Sequence, residues 1–217
     1  MIRKFLRKLI FMLSRDLKNF TIENNLFDLK RLDYNYSIFN IYNKVKNVPG
    51  HILELGTGTG RNSILFSYLI KKNKKQEIVK YFGYDLFDNH EIFKIKNSNK
   101  NYEKIKELIK LYDLEKIAVI VKGDINKEIY NFEKLNFGFR DNKPLLSLIY
   151  IDCNNFETTL NALEHLKNYL SPGAYICTDE KKIGQEIHAL KKFSEKYNLE
   201  LKSGDYDSFT STYCIWK

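Results

Sequence analysis

The segment Glu54-Leu55-Gly56-Thr57-Gly58-Thr59-Gly60-Arg61-Asn62-Ser63 constrains the fold more than any other part of the chain. It follows a short apolar run, His51 to Leu55, that reads as a buried strand, and it opens a helix from Arg61 to Lys71. Glycines at alternate positions let the backbone turn sharply and approach a ligand closely. The helix that follows offers free N–H groups to an anion. The spacing is G-x-G-x-G, and Arg61 stands where a dinucleotide fingerprint needs its third glycine, which argues against a nicotinamide or flavin enzyme. Taken alone, the motif is also compatible with a tight strand-to-helix connection.

From Pro49 onward the pattern alternates between strand and helix. Ile78–Asp85, Ile117–Val121, Leu145–Ile151 and Ala174–Thr178 read as further strands. Tyr102, Ile105, Leu108, Ile109 and Tyr112 recur at helical spacing. Thr158 to Leu170 reads as a helix ended by Ser171-Pro172-Gly173, and Ile183, Ile187, Leu190 and Tyr197 stripe a last helix. The tail from Leu199 to Trp216 reads as two strands around Ser203 to Ser208. Such alternation predicts an α/β fold with a mostly parallel sheet covered by helices on both faces. Ligands of such sheets bind beyond the carboxyl ends of the strands. There the second strand ends in Asp85 and the third is followed by Asp124, one carboxylate per strand end.

Composition narrows the function classes. With 217 residues and 43% hydrophobic residues, one domain over 48–217 is expected, preceded by an N-terminal helical segment over 1–47. Lys+Arg 36 against Asp+Glu 27 gives a net charge of +9, but the excess is nearly all Lys and no basic run is interleaved with stacking aromatics. No nucleic-acid partner is therefore expected. Cys153, Cys177 and Cys214 are widely spaced, without metal-ligand pairing, which suits a reduced cytoplasmic location. The apolar run Leu9–Leu13 is too short to span a bilayer. The stripe Ile2, Phe5, Leu6, Leu9 and Met12 is expected to pack on the domain or across a homodimer interface, with binding at an anionic membrane surface the lesser reading.

The sequence resembles the S-adenosylmethionine (SAM)-dependent methyltransferases related to macrocin O-methyltransferase, a group that includes the novobiocin-pathway sugar O-methyltransferase. The resemblance runs from Val48-Pro49-Gly50 to Trp216 through Gly83-Tyr84-Asp85-Leu86-Phe87, Gly123-Asp124-Ile125 and above all Ile149 to Glu180. It implies a Rossmann-like, seven-stranded sheet whose last strand is antiparallel, with SAM as methyl donor. It places Glu54, Gly56, Thr57, Gly58 and Gly60 around the methionine part of SAM and Ser63 near its carboxylate. Asp85 with Leu86 would take the ribose side, Asp124 with Ile125 the adenine, and Asp152 would also border the cofactor.

The resemblance further implies a divalent cation such as Mg²⁺ held by Asp152, Asp179 and Glu180. Carboxylate oxygens are ligands of the kind this hard ion prefers. A hydroxyl acceptor is nearly undissociated at neutral pH, so a base or metal must activate it. The family's D-x-D stands here as Asp152-Cys153-Asn154. Asn154 orients but accepts no proton, so Asp152 and Asn154 are the catalytic candidates, with His165, His188, Lys181 and Lys182 as other nearby groups. The expected acceptor is a hydroxyl of a sugar or glycosylated small molecule. Two alternatives stay open: a SAM-fold binding protein without methyl transfer, and a methyltransferase for a non-sugar acceptor.

Overall fold

A computed structural model describes residues 29–75, 78–87, 98–135, 144–179, 184–203 and 212–217. Helix α1 (Leu29–Val45) leads into β1 (His51–Leu55) and α2 (Arg61–Lys72), followed by β2 (Tyr81–Asp85), α3 (Ser98–Leu111) and β3 (Ala118–Lys122). A short helix α4 (Ile125–Glu128) and a 3₁₀ turn (Ile129–Lys134) precede β4 (Leu146–Ile151). Then come α5 (Phe156–Leu166), a 3₁₀ turn (Lys167–Tyr169), β5 (Leu170–Thr178), α6 (Gln185–Lys196), β6 (Lys202–Ser203) and β7 (Thr212–Ile215).

The strands form one seven-stranded sheet in the order β3-β2-β1-β4-β5-β7-β6. β1 to β5 pair in parallel, and β7 runs antiparallel to both β5 and β6. Strand order reverses between β1 and β4, which makes their exits the place where such a sheet binds its ligand.

Side chains alternate across the sheet and divide the core in two. Leu53, Phe82, Ile149 and Ile176 face α5 and α6, where Leu163, Leu166, Leu190 and Phe193 cover them. Ile52, Tyr81, Tyr150 and Cys177 face the other way, onto Ile38 and Tyr42 of α1, Phe66 and Ile70 of α2, and Ile105 and Ile109 of α3. Cys177 and Cys214 are buried free thiols that fill the core as small hydrophobes.

Several elements differ from the sequence reading. β2 begins at Tyr81, not Ile78, because the chain just before it bonds elsewhere: Val79 N–H donates to the Lys75 carbonyl and Lys80 N–H to His51 Nδ1. Ile78 is left exposed. The helix expected over Thr158–Leu170 ends at Leu166, and β5 already starts at Leu170. Ser171-Pro172-Gly173 therefore lies within the strand, where Ser171 Oγ donates to the Pro49 carbonyl at 2.6 Å and Gly173 N–H to the Trp216 carbonyl at 2.8 Å. The sheet takes up this irregularity as a register shift between Leu146 and Leu148. Finally, α4 lacks a long periodic stripe and was not anticipated; Asp124 starts it by accepting from Asn126 N–H at 3.0 Å.

No described helix is long and apolar enough to cross a membrane. The stripe expected over Ile2–Leu13 lies outside the described residues.

Candidate active site

The exits of β1, β2 and β4 meet at the glycine segment. Gly56 has φ +93°, and a Cβ there would collide with the Asp152 carbonyl, so the backbones leaving β1 and β4 lie against each other only because this residue is glycine. Asp152 N–H also donates to the Leu55 carbonyl at 2.7 Å. One residue on, Thr57 is buried, and then the chain emerges, leaving Gly58 and Thr59 exposed and open space over Gly58. Gly58 N–H donates to Asp85 Oδ2 at 2.7 Å, while Phe87 N–H donates to Asp85 Oδ1 at 2.8 Å. Asp85 thus ties the glycine loop to the end of β2, with Leu86 exposed beside it. Gly60 then adopts a left-handed conformation ahead of α2. At the next strand, Asp124 caps α4 and Ile125 is buried beneath it.

Glu54 and Ser63, also expected near the cofactor, lie under the loop. Both are 0% exposed. Asn62 Nδ2 donates to Glu54 Oε1 at 2.7 Å, the Tyr81 hydroxyl donates to Glu54 Oε2, and Ser63 and Tyr81 hydroxyls pair at 2.9 Å. Burial pushes the Glu54 carboxyl up to about 8, against the opposing pull of its hydrogen bonds to Tyr81 and Asn62. Asn62 and Tyr81 had not been singled out in the sequence.

At the exits of β4 and β5, three carboxyl groups come together: Asp152, Asp179 and Glu186. Asp179 lies within hydrogen-bonding reach of both others. Burial raises the proton affinity of Asp152, and its neighbours Asp179, Glu54 and Glu186 raise it further; Asp179 is also raised, chiefly by burial. Both carboxyls of the pair therefore bind a proton more readily than free aspartates do. Glu186 was missed in the sequence, although Glu186, Leu190 and Phe193 follow one another at the i, i+4, i+7 spacing of the buried face of α6. Asn154 is exposed with φ +53°, and its N–H donates to Glu186 Oε1.

The remaining candidates separate. His165 packs between Tyr130 and Tyr169, with ring centroids 4.7 and 5.8 Å away, and His188 is exposed on α6. Glu180, Lys181 and Lys182 lie outside the described residues. Among the described residues, no group of three or more His, Cys, Asp or Glu side chains is arranged to hold a metal ion.

A family model described as a methyltransferase domain matches residues 53–180, more than half of the 217-residue chain. The chain belongs to this methyltransferase-domain family. The match takes in the glycine loop, Asp85, Asp124 and Asp152, and identifies the protein as a SAM-dependent methyltransferase. No curated protein sequence matches the methyltransferase.

Solved structures share its fold. The TDP-rhamnose 3'-O-methyltransferase CalS11, an enzyme of calicheamicin biosynthesis, superposes with a TM-score of 0.74 at 21% identity, over 98% of this chain and 92% of that one. The O-methyltransferase NovP gives a TM-score of 0.63 at 18% identity, over 83% and 79%. An O-methyltransferase from Bacillus cereus in complex with SAH gives 0.58 at 13% identity, over 94% and 90%.

Proposed function

We propose that this methyltransferase transfers the methyl group of SAM to a hydroxyl of a sugar or glycosylated small molecule, as the resemblance to the macrocin O-methyltransferase group implies. The observation that carries the reading is the pairing of the half-buried Asp152 and Asp179 at the exits of β4 and β5, with the Asp152 backbone packed against Gly56 of the glycine loop at the reversal point between β1 and β4. The sugar acceptor draws its support from the likeness to CalS11 and NovP.

The residues present fit the cofactor. Gly56, Thr57, Gly58 and Gly60 form a main-chain cradle with open space above Gly58, supported from below by Glu54 and Ser63. Asp85 presents a half-buried carboxylate for ribose hydroxyls, and Leu86 an exposed apolar side chain for the adjoining base. Asp124 and Ile125 border the same rim, with Asp124 taking the adenine amino group. Bound there, SAM supplies a methyl carbon on a sulfonium, open to in-line displacement by a well-aligned nucleophile. This chain's task is then to orient the acceptor and receive its proton. Asp152 and Asp179, whose proton affinity burial raises, are the groups that would take the proton, and the exposed Asn154 amide orients the acceptor.

A divalent cation is the finer part of the proposal. Asp152 and Asp179 would supply two of its expected ligands and Glu180, outside the described residues, the third, oxygen donors of the kind Mg²⁺ takes. When bound, the ion would polarise the acceptor hydroxyl. Titrating Mg²⁺ into the protein by calorimetry, against Asp179→Asn, tests this arm: binding that the substitution leaves unchanged removes the ion from the account.

The whole reading is tested by following SAH release from SAM with TDP-rhamnose and a panel of glycosides. Turnover with a hydroxyl acceptor, lost in Asp152→Asn, is the expected result. Turnover only with amine or thiol acceptors overturns it. Asn154 gives the second reading its footing, since an amide accepts no proton. SAH binding without turnover on any acceptor would favour a SAM-binding protein that performs no transfer.

A further inference from the structure

The turn that leaves β4 is held from two sides. On one side lie Leu55 and Gly56, which the Asp152 backbone touches. On the other lies the first turn of α6, where Gln185 Oε1 accepts from Phe156 N–H at 3.2 Å and Glu186 Oε1 accepts from Asn154 N–H. Between these supports Asn154 stands at φ +53°, a left-handed conformation that asparagine tolerates better than most residues but that surrounding structure must still hold in place.

Glu186 makes this contact at 0% exposure, beside two other carboxyls. Burying an acid there is costly, and a leucine would continue the apolar stripe of α6. Packing therefore does not account for the residue. What it contributes is a hydrogen bond that its carboxyl oxygen accepts from the turn.

We propose that Glu186 is a positioning residue of the methyl-transfer site: through Asn154 N–H it holds the Asp152–Phe156 turn against the glycine loop and so couples α6 to the cofactor cradle. This rests on the reading that the glycine loop binds SAM. It adds a residue that neither the family match, which stops at residue 180, nor the resemblance assigns.

The test compares the full-length protein with Glu186→Ala and Glu186→Gln by SAH calorimetry, amide exchange over residues 152–157, and thermal melting. Glu186→Ala should raise the SAH Kd about tenfold and speed exchange in that segment alone. Its Tm should hold, because relief of crowding among the carboxyls offsets the lost bond. Glu186→Gln keeps an oxygen acceptor and should stay within about threefold of the wild-type Kd.

Wild-type affinity and exchange in Glu186→Ala would overturn the proposal. So would a glutamine variant as impaired as the alanine one, or an alanine variant that melts early, exchanges faster throughout or fails to fold, since that describes a purely structural residue. A wild-type protein that does not bind SAH defeats the cofactor reading instead, and local exchange then still decides whether Glu186 holds the turn.

Discussion

Glu54 sits under the glycine loop with its carboxyl pushed up to about 8 by burial, from an ordinary value of 4.5. A carboxyl that binds its proton more tightly in the folded state stabilises the protein most at low pH, and that contribution is lost as pH rises from the unfolded value through the folded one. Thermal melts should therefore show stability falling between about pH 4.5 and pH 8, more steeply than in Glu54→Gln, which carries no titrating group. Equal slopes in the two proteins would contradict the buried placement. At Gly56 both the positive φ and the Asp152 carbonyl forbid a side chain, so Gly56→Ala should cost about 3 kcal/mol or more, read by urea unfolding. The glycines and Asp85 were legible in the sequence because they stand at strand ends, where position along the chain predicts position in space. Glu186 was not, because its partner Asn154 is distant in sequence and no local pattern announces a contact between a helix start and a turn. The burial of Ser63 was equally hidden, since its hydroxyl answers to Tyr81 on the neighbouring strand.

Elements were legible where their period was clean. The apolar runs of β1 and β4 and the stripes of α3 and α6 lie where the sequence put them, give or take the ends. Boundaries slipped where a side chain or a proline changed the local hydrogen bonding, as His51 does before β2 and Pro172 does inside β5. Helix α1 belongs to the N-terminal segment expected over 1–47, and its Ile38, Ile41, Tyr42 and Val45 share a core cluster with α2 and the sheet. Ile38 is fully buried, so Ile38→Ala should destabilise the whole protein by about 2–5 kcal/mol, measured by chemical denaturation. A loss well under 1 kcal/mol would mean that α1 rests on the sheet without being part of its core.

At the scale of the molecule, the sheet order follows from connections that the sequence could state only as alternation. Strands and helices in turn imply a parallel sheet, but they do not say which two strands part to leave a crevice. The structure puts that point between β1 and β4, and so brings Asp152 from the second half of the chain onto Gly56 of the first. The metal expected at Asp152, Asp179 and Glu180 depended on the same convergence, and two of its three members are within the described residues. In the proposed function the glycine loop and Asp85 together hold the methyl donor. Calorimetric titration of SAH into the wild-type protein and into Asp85→Ala tests it most directly. Clear binding to the wild type is expected, with a loss of about tenfold to a hundredfold in the variant, the worth of hydrogen bonds to one charged group. Unchanged SAH affinity in Asp85→Ala, or binding of NAD⁺ by a protein that ignores SAH, would contradict it.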